Sequence, residues 1–443
     1  METTPQKNPI SRRNFLKTSA ALGMTAAFAG HSRLFAAGSD KLRVGLIGCG
    51  GRGTGAAMNC LDAGENIELV AMADLFEDRL KSSLIKLKTS RNTNWSSSKP
   101  WKNGKKVKVT DETKYVGWDA ANNLINSDVD VVLLACPPHF RAMHLKTAIE
   151  AGKHVFMEKP VAVDPVGVKS VIETSKLAKE KGLSIVAGTQ RRYQANYVEI
   201  MKRVHNGDVG ELVGGQCYWN WDQMFSNWRQ KWNPEKSEME NQIRRWVFYT
   251  WLSGDIICEQ HVHNLDVINW AFETHPITAV GMGGRQARTG EGTGNVYDHF
   301  AVEFEYPNGA RILSMCRQTD RADNRISERV VGTKGNAFLD MSGKGVIDGA
   351  NAFNYDEHPP NPYEQEHIEL VKSIREGKPV NDGEQVAIST MTGILGRMSA
   401  YTGRQLKWEW VMERSKLDLS PAKYEFGPNP VDDVAVPGVT PLV

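Results

Sequence analysis

Short apolar runs of strand length alternate with segments of helical period from Leu42 to about Lys159. The runs 42–47, 67–73, 129–135 and 153–157 are largely apolar and of strand length. Segments 51–64, 76–88, 119–126 and 139–151 fall between or after them and read as helices. Such alternation predicts a parallel, doubly wound sheet with right-handed crossovers. Residues 89–106 are polar, with Ser96-Ser97-Ser98-Lys99-Pro100, and predict an exposed insertion. A helix over 164–181 and a further strand over 184–187 follow. Beyond about residue 210 the period changes to two. The stretches 300–306 and 310–315 flank Asn308-Gly309 and predict an antiparallel hairpin. Further strands are predicted at 326–331 and 335–340, and helices at 364–375 and 385–400. The tail after Leu417 carries several prolines and little periodicity, and predicts coil wrapped over the surface.

The first predicted strand runs straight into Gly48-Cys49-Gly50-Gly51-Arg52-Gly53. In G-x-G-x-x-G, Gly48 lets the chain turn sharply off the strand and Gly50 removes a Cβ that would block a pyrophosphate. Gly53 lets the next helix pack close to the sheet. The second strand ends in Asp74, about 20 residues further on, where a carboxylate accepts hydrogen bonds from the adenosine ribose. That carboxylate repels a 2′-phosphate and favours NAD; Arg79 nearby keeps NADP open as the lesser alternative. The fold class is thus α/β: an N-terminal Rossmann domain with a doubly wound parallel sheet, then an α+β domain with a mostly antiparallel open sheet. The expected boundaries are 1–37 for a signal segment, 38–160 for the dinucleotide domain, 161–416 for a substrate and oligomerisation domain, and 417–443 for an irregular tail.

Composition narrows the class. The 443 residues carry 54 Lys+Arg against 52 Asp+Glu, a net charge of +2, with the signs interspersed. No basic footprint for nucleic acid is visible. The six cysteines are scattered with no C-x-x-C and read as buried free thiols. Ser11-Arg12-Arg13-Asn14-Phe15-Leu16-Lys17 precedes a mildly apolar, alanine-rich stretch, Thr18 to Gly30, and looks like a twin-arginine secretion signal. Cleavage after Ala29 or near Ala37 fits equally. The stretch is short for a membrane span, and no later segment is long and apolar enough for one. The pathway carries folded proteins, so a nicotinamide cofactor is expected to be inserted before export and held tightly in the periplasm.

Glu158-Lys159-Pro160 closes the strand at 153–157. With the glycine motif and a later acid-x-x-x-His segment, it resembles the glucose–fructose oxidoreductase and inositol dehydrogenase family (Gfo/Idh/MocA) over roughly residues 41 to 411. The resemblance implies that Lys159, beside Glu158, lies against the nicotinamide and holds the reacting hydroxyl oxygen. In Gly254–Asp266, a continuous helix would place Asp255, Glu259, His263 and Asp266 on one stripe. Glu259 and His263, four apart, would hydrogen-bond and set the imidazole's tautomer. By resemblance His263 is the general base and Glu259 its partner, although the family usually has Asp there. His261, where the family commonly has a small residue, is either a substrate contact or part of a metal site with Glu259 and His263. Helical geometry turns it about 200° from His263 and argues against metal. By analogy Gln190 and Arg192 line the substrate, while Pro138 and His144 line the cofactor. Six tryptophans crowd the region (Trp219, Trp221, Trp228, Trp232, Trp246 and Trp251), and indoles suit the C–H faces of sugar rings. Trp251 is the one taken as a substrate residue with Asp266. Arg244 and Arg245 are candidates for an anionic or hydroxyl-rich group.

Three functions fit these residues. The first is an NAD-dependent oxidoreductase acting on a secondary hydroxyl of a sugar, glycoside or polyol. The second is a glycoside hydrolase that works by transient oxidation and elimination, with no net redox change; the Y-P-T-H string of one such group is absent. The third is a non-catalytic dinucleotide or sugar binding protein, which the set Lys159, Glu259 and His263 argues against. A homo-oligomer, dimer or tetramer, is expected by family analogy.

Overall fold

The computed structural model describes residues 41–89, 101–222, 231–290, 292–358 and 360–443. The expected signal segment, residues 90–100 of the insertion and Trp228 lie outside them.

The chain begins with β1 (Leu42–Ile47), helix Gly51–Asp62, β2 (Ile67–Asp74), helix Glu77–Thr89 and β3 (Lys114–Val116). Helix Ala120–Ile125, β4 (Val131–Leu134), helix Pro138–Glu150, β5 (His154–Met157), helix Pro165–Glu180 and β6 (Ile185–Ala187) follow. The six strands pair in parallel in the order β3-β2-β1-β4-β5-β6. Every residue of β4 is buried because helices cover both faces. Between β1 and β4 the order reverses, and the C-terminal ends of these strands open a crevice where such sheets take their ligands.

This sheet runs past residue 160. β6 is its last strand, and Leu370, Val371 and Ile374 of the helix Pro362–Glu376 pack into one core with Leu42, Leu61 and Ile67. Nothing in the run 184–187 tells which sheet it joins, so a boundary at 160 cuts the unit. The insertion also differs from expectation at its end. Trp101 is buried in that same core, and its indole N–H donates to the Leu87 carbonyl at 2.8 Å.

The second sheet has nine strands: β7 (Leu212–Trp221), β8 (Thr278–Gly284), β9 (His299–Glu305), β10 (Arg311–Gln318), β11 (Arg325–Gly332), β12 (Gly335–Asp340), β13 (Gly345–Gly349), β14 (Phe353–Tyr355) and β15 (Leu406–Lys407). Their order is β14-β13-β12-β11-β7-β10-β9-β8-β15, antiparallel except for β7 with β10. β9 and β10 form the expected hairpin, with Gly309 at φ +83° in the turn. Helices Val262–Phe272 and Gly383–Thr402 cover one face. β8 is not predicted because three of its seven residues are glycine, which masks its alternation in the sequence. One of them is required by packing: a Cβ on Gly281 would meet the Ala400 nitrogen at 2.8 Å. From Leu417 the tail is coil, as its prolines predict.

Candidate active site

At the glycine loop, Gly48 has φ +91°, and a Cβ there would lie 2.5 Å from the Cys136 nitrogen. A Cβ on Gly53 would lie 1.9 Å from the Gly48 carbonyl, so the helix packs on the strand only through glycine. Gly50 differs: a Cβ there meets nothing within 4 Å, and no side chain caps the helix Gly51–Asp62. An open space thus faces first-turn amides without a side-chain cap, a cradle that fits a pyrophosphate. Asp74 accepts the Cys49 N–H at 2.7 Å and the Phe76 N–H at 2.9 Å. Burial pushes its carboxyl up, while these two bonds and the charge of Arg79 pull it down. Each carboxylate oxygen keeps acceptor capacity for a ribose hydroxyl. Pro138 opens the helix Pro138–Glu150, and half-buried His144 stacks on Phe140, with burial lowering its pKa to about 4.

At the end of β5 the peptide Lys159-Pro160 is cis. Glu158 is buried and pairs with Arg52, whose guanidinium also reaches Glu366 at 2.8 Å. Burial pushes the Glu158 carboxyl up, yet Arg52, Lys159 and Arg141 together hold it below its ordinary value. Burial drives Glu366 well up, against Arg52. The loop after β6 leaves room for this carboxylate, since a Cβ on Gly188 would lie 2.6 Å from Glu158 Oε2.

The segment Gly254–Asp266 is not one helix. Asp255 sits at φ +69°, and the helical turns Ile256–Glu259 and Val262–Phe272 are separate. The single stripe of four ionisable groups therefore does not form. Asp255 is a buried anchor that accepts the N–H groups of Ile256 at 2.5 Å and Tyr297 at 2.8 Å. Asp266 is buried in a bidentate pair with Arg192, at 2.8 and 3.1 Å, and accepts the Ser389 hydroxyl at 2.7 Å. Both Asp266 and Arg192 are thereby committed to the protein rather than to a substrate.

The break brings Glu259 to Lys159 instead of His263. Lys159 Nζ donates to the Glu259 carbonyl and stands 3.3 Å from Glu259 Oε1. The expected Glu259–His263 hydrogen bond is absent. His263 is buried, its Nδ1 has no partner among the described residues, and its ring stacks on Trp219 with centroids 5.7 Å apart. Burial, then the positive charges of Lys159, Arg191 and Arg52, push its pKa well below the usual value. It is a neutral imidazole, ready to accept a proton.

His261 turns the other way. Its Nε2 lies 2.7 Å from Ser314 Oγ and 3.7 Å from Cys217 Sγ, and its Nδ1 lies 3.3 Å from Asn264 Oδ1. It is fully buried against the second sheet, and its ring is taken up by protein partners. Among the described residues no group of three His, Cys, Asp or Glu side chains is arranged to hold a metal. All six cysteines are buried free thiols.

The remaining candidates divide. Gln190 Nε2 donates to the Tyr363 hydroxyl at 3.3 Å, and its buried Oε1 has no partner among the described residues. Trp251 donates to Gln242 Oε1 at 2.8 Å and meets His139 edge-on, on the cofactor side. Trp219 is the indole that reaches His263, while Trp232 is exposed. Arg244 is taken by Asp78 and Glu240, and Arg245 lies over the Phe248 ring. Arg52, Arg191, Tyr363 and Glu366 were not foreseen at the site, and Trp219 was expected only as one of six tryptophans suited to a sugar. Arg52 stood inside the glycine motif, but its partners are 106 and 314 residues away.

Residues 42–189 match a family described as "Oxidoreductase family, NAD-binding Rossmann fold", and 197–338 match the GFO/IDH/MocA C-terminal domain. Residues 9–29 match the twin-arginine translocation pathway signal sequence. The chain is 25% identical over 236 residues to 2,7-anhydro-N-acetylneuraminate hydratase of Escherichia coli, which covers 53% of this chain and 58% of that protein. It is 24% identical over 387 residues to myo-inositol 2-dehydrogenase of Thermotoga maritima, 84% of this chain and 100% of that protein. In structure it is similar to aldose-aldose oxidoreductase from Caulobacter crescentus, solved with glycerol: TM-score 0.62 at 19% identity, over 83% of this chain and 99% of that one.

Proposed function

This chain belongs to the Gfo/Idh/MocA family of oxidoreductases, with a twin-arginine signal at its start, and from that premise we propose that it oxidises a secondary hydroxyl of a sugar, glycoside or polyol. One observation carries the reading. Lys159, from the first domain, and the Glu259–His263 segment, from the second, meet where the crevice ends, with the lysine 3.3 Å from the Glu259 carboxylate and His263 kept neutral.

A nicotinamide dinucleotide, cradled by Gly48, Gly50, Gly53 and Asp74, would supply the two-electron acceptor. The chain's own residues manage the rest. The Lys159 ammonium donates to the substrate oxygen and stabilises the alkoxide as charge develops. His263 takes the hydroxyl proton, and a carbonyl replaces the alcohol as the carbon gives up a hydride. Glu259 offsets the lysine charge, and Trp219 holds the plane of the imidazole. Glu158, Pro138 and His144 line the cofactor side, and Gln190 faces the substrate with its unpaired carbonyl. Asp74 favours NAD over NADP. Export by the twin-arginine route supports a periplasmic enzyme that keeps and recycles its cofactor. The open face of the second sheet supports a homo-oligomer.

The test starts from the purified holoprotein. Acid release followed by mass measurement should yield NAD. A polyol or sugar substrate should then produce one equivalent of reduced nicotinamide absorbance and stop without an added acceptor. Purified protein that takes up no dinucleotide overturns the reading.

A second reading has its own support, the similarity to a hydratase that acts on an anhydro-sugar. Transient oxidation, elimination, water addition and re-reduction would make the reaction redox-neutral. Sustained turnover of aryl glycosides with no acceptor would favour it over net oxidation.

A further inference from the structure

The coil tail leaves the second domain and returns to the rim of the first. Leu419 N–H donates to Asp164 Oδ2 at 2.9 Å, at the start of the helix Pro165–Glu180. Ten residues later, Asn429 N–H donates to Glu238 Oε2 at 2.7 Å, and the Asn429 carbonyl accepts from Gln242 Nε2 at 2.6 Å. Both of those acceptor and donor groups stand on the second-domain helix Glu238–Arg244. Between the anchors, two aromatic rings point back to the crevice. Phe426 stacks on Phe76, centroids 6.0 Å apart, and tilts on Trp118 at 5.3 Å. The Tyr424 hydroxyl stands 2.8 Å from His139 Nε2, and its ring meets Phe140 at 6.1 Å.

The four residues they touch mark one place. Phe76 follows β2 and gives its N–H to Asp74, the ribose carboxylate. Trp118 follows β3, and His139 and Phe140 follow β4. β2 and β4 flank β1 and its glycine loop in the sheet order. The tail therefore rests on the rims around the adenosine end of the crevice, tied on one side to the first domain and on the other to the second. A coil segment has no internal hydrogen-bond ladder to hold rings in place; these rings are held by the rim itself.

We infer that residues 417–443 are a strap that completes the adenosine end of the dinucleotide site, with Tyr424 and Phe426 as its contacts, and that the strap sets how slowly the dinucleotide leaves. The inference rests on the reading of the crevice as a dinucleotide site. It gives an exported oxidoreductase a means of keeping a cofactor that its compartment does not replace.

The experiment uses full-length holoprotein and NAD as the probe, and reads the rate of nucleotide release after dilution, by ultrafiltration and mass measurement. The double variant Tyr424→Ala with Phe426→Ala should release NAD at least about tenfold faster, and should purify with less of it. Tyr424→Phe, which removes only the bond to His139, should give a smaller increase. Asn429→Ala removes the bond that the Asn429 Nδ2 donates to Gln242 Oε1 at 2.8 Å, loosens the far anchor without touching the rim and should also speed release, which keeps the test open where the double variant folds poorly. Release at the wild-type rate in folded double and anchor variants overturns the strap alone. Wild-type protein that neither carries nor takes up NAD overturns the dinucleotide reading together with it.

Discussion

Among the residues, His263 has the most demanding environment. It is buried beside three positive charges, with a free Nδ1 and a Trp219 ring at its face. A base in that setting is deprotonated at neutral pH without help from a carboxylate. The pH profile follows with a definite sign. Protonation removes the base, and the folded pKa lies below the ordinary 6.5, so kcat/KM should stay level down to about pH 6.5 and fall only in more acidic solution. A profile that already falls between pH 8 and 7 on the acid side would contradict the assignment. His263→Ala should lower turnover by about two orders of magnitude while NAD stays bound, measured by single-turnover absorbance and nucleotide content. Asp74→Ala tests the other end of the crevice. It should weaken NAD and narrow the preference over NADP, read from the two binding constants; an unchanged ratio would mean that another group reads the ribose. The sequence pointed to Lys159, His263 and the glycines because each sits in a local string with its own chemistry. It could not point to Arg192 and Asp266 as partners of each other, or to Arg52 as the partner of Glu158, because those pairings are made by the fold.

At the scale of elements, what was legible depended on how local the signal is. β1, β2, β4 and β5 are largely apolar runs bounded by turns, and their place in a covered sheet is written in each run, whereas the edge strand β3, Lys-Tyr-Val and partly exposed, carries no such signal. The turn after β9 is written in Asn308-Gly309. The break at Asp255 was not legible. Gly254-Asp255 reads as an ordinary helix start, and the left-handed φ at Asp255 is stabilised by hydrogen bonds from Tyr297 and Tyr401, more than forty residues away. That break is what sends Glu259 to Lys159. β5 offers a test of element stability. His154 Nδ1 accepts the Ser184 N–H at 3.0 Å across to the segment before β6, and burial lowers its pKa to about 4. Protonation would remove that acceptor. The unfolded chain takes up this proton near pH 6.5 and the folded chain only near 4, so the contribution is complete above pH 6.5 and is lost as pH falls toward 4. His154→Asn keeps an acceptor and removes the titration. Between pH 7 and 5 it should lose about 2 kcal/mol less stability than the wild type, measured by urea unfolding at the two pH values. Equal losses would mean that His154 does not titrate between the states.

The whole molecule is joined by segments that leave one domain to complete the other. Helix Pro362–Glu376 supplies Glu366 to Arg52 and apolar residues to the first core, Arg244 reaches Asp78, and the tail ties the two rims. What stays uncovered is the outer face of the second sheet. Register aligns Val280, Glu303 and Leu313 in one row across β8, β9 and β10, and Met282, Ala301 and Met315 in the next. Val280, Met282 and Leu313 are 45%, 72% and 43% exposed, while their neighbours along each strand are buried on the helix side. Alternation thus places apolar side chains on a face that no helix among the described residues covers. Exposed apolar side chains on both sides of Glu303 make this face a candidate partner surface, and a second copy across a two-fold axis would bring like rows together. Met282→Glu with Leu313→Glu places carboxylates in adjacent rows and would set them against their copies. If this face joins two copies, light scattering should show a larger mass for the wild type than for the double variant, with the circular dichroism spectrum kept because neither side chain enters the core. A double variant that keeps the wild-type mass would put the assembly surface elsewhere, and the face would need another occupant.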